Sequence, residues 1–252
     1  MEMNKVTKNY GKKPVVTDVD LPISEGQMTA LIGPNGAGKS TLLGLMSRLV
    51  EKDGGEIYLD GDEVKTWKQN DLAKKLSILK QGNAVSLKIT VRELVAFGRF
   101  PYSKGRLTVE DNQKIDEALS YLGLTEMQTA DIDTLSGGQL QRAYIAMVFA
   151  QDTDYILLDE PLNNLDMNFA AQMMKTLRRL VDEHGKTVII VLHDINFAAS
   201  YADEIVAMKA GKVFLHGSTD TVIQKEVLDD LYDMSIRVCE LEGKRFCLYF
   251  NE

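Results

Sequence analysis

The stretch GPNGAGKST, from Gly33 to Thr41, follows the apolar run Met28 to Ile32 and precedes Leu42, Leu43, Leu45 and Met46. It therefore stands where a buried strand turns into an amphipathic helix. The spacing from Gly33 to Gly38-Lys39-Ser40 is that of a phosphate-binding P-loop, whose glycines let successive backbone N–H groups converge on phosphate oxygens. The helix that follows points its positive dipole end at the same anion. On this reading Gly33, Pro34, Asn35, Gly36, Ala37 and Gly38 form the loop. Lys39 reaches the β- and γ-phosphates, the Ser40 hydroxyl ligates magnesium, and Thr41 adds a donor near the α-phosphate. The expected ligands are a nucleoside triphosphate and Mg2+. A glycine-rich turn that merely ends in Lys-Ser is the competing reading, and the strand before it and the helix after it argue against that.

Two further stretches carry phosphate chemistry. Tyr155 to Leu158 is a short apolar run, read as a buried parallel strand, that ends in Asp159-Glu160-Pro161. Acids at the C-terminal end of such a strand lie in the crevice where open α/β sheets bind ligands. Asp159 is then placed to hold magnesium and Glu160 to polarise an attacking water; a solvated turn is the alternative. Earlier, Leu135-Ser136-Gly137-Gly138-Gln139 opens a helix running through Ala143, Ile145, Ala146, Val148 and Phe149. A serine and two glycines at a helix start make a second anion-binding terminus, so one of the two phosphate-recognising elements needs a partner. The strand Thr187 to Leu192 ends in His193-Asp194, where the histidine could contact a γ-phosphate or be a structural hydrogen-bonding residue. Tyr10, in the connection between two N-terminal strands, could stack on a base or pack on its own sheet.

The remaining chain reads as an α/β protein with an insertion. Met3 to Val6, then Val19, Leu21 and Ile23, alternate with polar residues as antiparallel strands do. From Gly82 to about Ala150 strand patterns give way to spacings of three and four, with Thr90 and Thr108 as N-caps and Gly105 and Gly123 as breaks. Later come the strands Ile205 to Met208 and Val213 to His216, a helix about Lys225 to Met234, and a terminal strand pair. Cys239 and Cys247 flank the Glu242-Gly243 turn of that pair and are expected to be small apolar core residues facing one another.

With 44% hydrophobic and 26% charged residues, the 252-residue chain has ample material for a core. The 29 Lys+Arg against 37 Asp+Glu, a formal net charge of -8, argue against a general nucleic-acid surface. No apolar run approaches the roughly 20 residues that span a bilayer, and MEMNKVTKNYG lacks the apolar core of a signal peptide. The chain is expected in the cytoplasm.

Taken together and in this order, GPNGAGKS, LSGGQ, ILLDE and His193-Asp194 resemble the ATP-binding-cassette ATPases, and the likeness covers essentially the whole chain. LSGGQ upstream of the ILLDE strand is specific to that family. The resemblance implies one ABC-type ATPase domain: a P-loop NTPase (RecA-like) α/β core over 1–81 and 151–252 with an N-terminal antiparallel β subdomain, and an inserted helical subdomain over 82–150. It implies that two copies pack head to tail, Ser136, Gly137, Gly138 and Gln139 of one binding the γ-phosphate of ATP held by the other. By position, Glu160 matches the general base, His193 the switch histidine, and Asp166 the aspartate of the loop crossing the dimer interface. Tyr10 matches the adenine-stacking aromatic. Gln81 matches the glutamine that senses magnesium and the attacking water and lines the groove facing the membrane subunit.

VRELVAFGRFPY from Val91 to Tyr102, DEPLNNLDM from Asp159 to Met167, and HDINFA from His193 to Ala198 are similar to the ATPases of bacterial iron(III)-siderophore importers, a group that includes haem and cobalamin uptake systems. This implies an ATP-hydrolysing subunit held at the cytoplasmic face of the membrane by permease subunits and working indirectly with an extracytoplasmic substrate-binding protein. A haem or cobalamin importer ATPase is the near alternative. A soluble ABC ATPase working on DNA or ribosomes would usually carry two cassettes or a long coiled-coil insertion, and neither is present. An unrelated P-loop kinase or GTPase is a third reading, and the chain lacks the guanine-reading Asn-Lys-x-Asp motif.

Overall fold

The runs Met28–Ile32, Tyr155–Asp159 and Thr187–Val191 are buried at every residue, which is why they show no alternation: both their faces are covered. In the computed structural model, which describes residues 1–80, 88–163 and 165–249, they are the middle of one sheet. The chain begins with β1 (Glu2–Tyr10), β2 (Lys13–Pro22), β3 (Met28–Ile32), α1 (Lys39–Met46), β4 (Gly54–Leu59), β5 (Asp62–Glu63), α2 (Gln69–Lys75) and β6 (Leu76–Leu79). A helical stretch follows with α3 (Val91–Ala96), α4 (Phe100–Ser103), α5 (Val109–Tyr121) and α6 (Gly137–Ala150). Next are β7 (Tyr155–Asp159), α7 (Met167–His184), β8 (Thr187–Val191), α8 (Ile195–Tyr201), β9 (Glu204–Lys209) and β10 (Lys212–Ser218). The chain continues through α9 (Thr219–Val222), α10 (Lys225–Tyr232), β11 (Arg237–Leu241) and β12 (Lys244–Leu248).

The central sheet has the order β10-β9-β3-β8-β7-β6, parallel from β9 to β6 with β10 antiparallel at one edge. A second, antiparallel sheet has the order β2-β1-β4-β5. Successive residues of the buried strands feed opposite faces. Ala30, Leu158 and Ile190 join a cluster with α6, α7 and α10, whereas Leu31, Leu157 and Ile189 join one with α1 and the antiparallel sheet. The parallel sheet is thus the middle of three layers, and the helical stretch shares the first cluster with it.

Local chemistry sets the helix ends. Thr90, Thr108 and Ser136 each form a capping box with the residue three positions on. Gly105 and Gly123 have φ of +87° and +64° where helices stop. Inside the helical stretch Arg99 and Asp111 form an ion pair at 2.9 Å with side chains only 3% and 4% exposed. Arg99 also donates to the Ala150 carbonyl, so the pair ties the chain after α3 to α5 and to the end of α6.

Two expectations are corrected. Tyr10 belongs to β1, paired with Lys13, rather than to the connection. Cys239 and Cys247 do not face each other: Cys239 pairs with Phe246 and Cys247 with Val238. One step along a strand reverses the side-chain direction, so Cys247 is buried and Cys239 exposed. The helices α2 and α9 are each too short to show a helical period, and each buries a single residue, Leu72 and Val222. Among the described residues no helix is long and apolar enough to cross a membrane.

Burial raises the Asp111 pKa, but the Thr108 N–H and the Arg99 guanidinium outweigh it and hold the carboxyl below its ordinary value. Such a group stabilises the fold above its unfolded pKa, and the contribution is lost as pH falls through the folded one. Asp111→Asn leaves Arg99 buried without a counter-charge and is expected to cost about 3–5 kcal/mol in urea unfolding at pH 7. The difference from the parent should shrink below about pH 4; a pH-independent difference would show that the ion pair is not its source.

Candidate active site

Parallel pairing sets the frame. Val191 is in register with Leu31 on one side and Asp159 on the other, so β3, β8 and β7 end at one edge of the sheet, where such sheets bind ligands. The P-loop begins after β3, His193 stands two residues beyond β8, and Asp159 is the last residue of β7 with Glu160 just beyond it.

The loop is fixed from several sides. Gly33 has φ of +138°, and a Cβ there would lie 2.1 Å from the Met208 carbonyl oxygen. At Gly38, φ +103°, a Cβ would lie 2.6 Å from the Val15 carbonyl oxygen. Both positions need glycine for the backbone to pass β9 and β2. The Gly33 N–H donates to the Tyr232 hydroxyl at 3.1 Å, and the Ala37 carbonyl accepts from the Gly211 N–H at 3.0 Å. A cavity of about 170 Å3 opens in front of the loop, lined by Val15, the run from Asn35 to Thr41, and Glu160. Gly33 and Pro34 are not in this lining; one N–H is already engaged and the other residue has none, so both shape the loop from behind.

Lys39 is 5% exposed, and its ammonium donates to the carbonyls of Gly33 at 2.7 Å and Pro34 at 3.1 Å. Burial lowers its pKa, while the charges of Glu160 and Asp159 oppose the shift. The Ser40 hydroxyl donates to Asp159 Oδ1 at 2.8 Å. Burial pushes the Asp159 carboxyl up, against the Ser40 hydrogen bond, and the neighbouring Glu160 charge adds to the rise. A hydroxyl and a carboxylate oxygen side by side form a hard donor pair of the kind Mg2+ takes when phosphate oxygens and water supply its other ligands. Among the described residues no group of three or more His, Cys, Asp or Glu side chains could hold a metal alone.

Glu160 sits one residue beyond the strand with φ of +51°, so the chain turns sharply and leaves its carboxylate at the cavity, 10% exposed. The His193 Nε2 lies 2.7 Å from Glu160 Oε1, which brings the two expected residues together. Asn163 Nδ2 donates to Glu160 Oε2 at 2.6 Å.

The other expected residues lie elsewhere. Ser136 caps α6: its hydroxyl accepts from the Gln139 N–H at 3.3 Å, and its own N–H donates to Gln139 Oε1 at 2.9 Å. None of Ser136 to Gln139 lines the P-loop cavity. A Cβ at Gly138 would meet the Phe169 ring at 3.3 Å, whereas one at Gly137 would meet nothing within 4 Å. Asp166 caps α7, accepting from the Phe169 N–H at 2.9 Å. Tyr10, 54% exposed, has the Lys8 ammonium over its ring. Gln81 lies outside the described residues. Sequence reasoning missed Val15, Asn163 and Tyr232; only Asn163 offered a local signal, through its place three residues after Glu160.

The ABC transporter family profile matches residues 16–163. The petrobactin import ATP-binding protein YclP of Bacillus subtilis (strain 168) is 53% identical over 251 residues, covering 100% of both chains. The ferric enterobactin transport ATP-binding protein FepC of Escherichia coli (strain K12) is 37% identical, covering 94% of this chain and 88% of its own. A solved structure of the ATP-binding cassette MJ0796, dimeric in a post-hydrolysis state with ADP and Pi, matches with a TM-score of 0.77 at 31% identity, over 86% of this chain and 98% of that one. With strand ends, loop and sequence all agreeing, the chain belongs to the ABC transporter family, as one of its ATP-hydrolysing cassettes.

Proposed function

We propose that this cassette binds Mg-ATP in the P-loop cavity, completes the site with Ser136 to Gln139 of a second copy, and uses hydrolysis to drive import of iron(III)-siderophore through permease subunits. The observation that carries the reading is the row formed by Lys39, Ser40, Asp159, Glu160 and His193 along one sheet edge, facing a cavity that the chain's own signature segment does not line. MJ0796 is dimeric in the matching structure, which supports a site shared between copies. The names of the relatives, petrobactin import and ferric enterobactin transport, support a siderophore over haem or cobalamin, delivered by an extracytoplasmic binding protein. Held by its permease, the chain would sit at the cytoplasmic face of the membrane.

In this mechanism the backbone N–H groups between Asn35 and Thr41 and the Lys39 ammonium bind the phosphate oxygens. Ser40 and Asp159 would hold Mg2+, with Gln81 assigned beside them, and the metal would supply charge neutralisation at the β- and γ-phosphates. Glu160 takes the proton of a water whose oxygen attacks the γ-phosphorus as the bond to the β-phosphate oxygen breaks. His193 Nε2 holds the carboxylate in place. Tyr10 offers its exposed ring to the adenine, and Asp166 fixes the start of α7, against which Gly138 packs. Closure follows from bridging: the triphosphate gains contacts from both copies only in the closed dimer, and hydrolysis removes them. That cycle moves the permease.

Glu160→Gln is expected to bind ATP, to lose turnover by at least about a hundredfold, and to accumulate as an ATP-bound dimer by light scattering. A mutant that stays monomeric with saturating Mg-ATP would overturn the shared site. In cells, the same substitution should abolish uptake of iron-loaded petrobactin; intact petrobactin uptake with lost haem or cobalamin uptake would overturn the cargo. Gly137 offers a cleaner probe because neither φ nor internal packing requires glycine there. Gly137→Ala should keep or slightly raise the melting temperature, alanine being favoured in a helix by up to about 1 kcal/mol, yet reduce hydrolysis at least roughly tenfold by obstructing the partner's phosphate. Full activity in that variant would remove the signature from the site.

A further inference from the structure

The Glu160 carboxylate is gripped at both oxygens. His193 Nε2 lies 2.7 Å from Oε1 and Asn163 Nδ2 lies 2.6 Å from Oε2. The second grip is built by the backbone. Glu160, Pro161, Leu162 and Asn163 form a turn closed by the Asn163 N–H donating to the Glu160 carbonyl at 3.3 Å. Pro161 supplies the fixed φ that favours such a turn at its second position. Glu160, the first residue of the turn, has a left-handed φ of +51° and itself lines the cavity. Asn163 therefore meets the carboxylate three residues upstream because of the turn itself, and the asparagine amide presents the donor that a carboxylate requires.

We infer that Asn163 is a positioning residue for ATP hydrolysis: its amide fixes the Glu160 carboxylate in the orientation from which that group takes the proton of the attacking water. This rests on the proposal that Glu160 is the base. Contacts on both oxygens, His193 Nε2 on one and the Asn163 amide donor on the other, restrict rotation of the carboxylate about its terminal bond. Without Asn163 the carboxylate would keep only its contact with His193 and no hydrogen bond to a donor of fixed position. The grip also joins the base to the β7–α7 loop, since the same short segment ends at Asp166, the cap of α7. A donor is needed at this place, so shape alone will not substitute for it.

The test is steady-state hydrolysis by the purified full-length chain carrying Asn163→Asp or Asn163→Ala, measured beside Glu160→Gln. Asn163→Asp keeps the side-chain shape and replaces the donor with an acceptor facing a carboxylate. It should lower kcat at least roughly tenfold with KM for ATP within about twofold, because small misplacement of a reacting group costs rate rather than binding. Asn163→Ala should lower kcat in the same direction and leave KM alike unchanged. Wild-type kcat in Asn163→Asp, with Glu160→Gln inactive, would overturn the positioning role and leave the base assignment standing. Wild-type kcat in Glu160→Gln would instead overturn the base. A raised KM together with a lowered melting temperature in both Asn163 variants would assign Asn163 to loop stability and also overturn the inference.

Discussion

Everything at the active edge depends on the register of three parallel strands. Because β3, β8 and β7 are covered on both faces, a one-residue slip in any of them would send residues such as Ala30, Ile190 and Leu158 into the wrong hydrophobic cluster. Each fully buried aliphatic side chain contributes about 1.5–3 kcal/mol, so the register is held by many such terms at once. The polar groups inherit that precision without paying for it. Leu31, Val191 and Asp159 are level, and the residues just beyond them therefore meet.

The site itself is electrostatically expensive. Lys39 and Asp159 are buried, and burial pushes each toward its neutral form. They are kept there by local partners: loop carbonyls for Lys39, the Ser40 hydroxyl for Asp159, and the mutual attraction of the two charges. A triphosphate with its metal would bring further charges of both signs to the same edge, so affinity and the cost of the ligand-free arrangement have one origin. Strands fixed by apolar packing are what allow a polar row of this kind to persist.

Much of this was legible in the sequence, for identifiable reasons. Capping at Thr90, Thr108 and Ser136 is a matter of neighbours three residues apart, so it could be read directly. Doubly buried strands announce themselves as unbroken apolar runs. Other features depend on residues distant in sequence. The Gly33 N–H is held by Tyr232, and the contrast between Gly137 and Gly138 exists only because Phe169 packs on one of them. The grip on Glu160 needed its left-handed backbone, which no composition signals, and the opposed faces of Cys239 and Cys247 needed a register that only the hairpin's pairing defines.

The sheet order also bears on how the protein is made. The P-loop strand β3 pairs with β8 and β9, both of which lie beyond residue 186. A ribosome synthesising this chain has therefore released the phosphate-binding loop long before its strand can acquire either neighbour. During that interval the apolar run from Met28 to Ile32 has no sheet to enter, and contacts so distant along the chain form slowly. The phosphate-binding edge is thus assembled late, from strands that the chain supplies only in its second half.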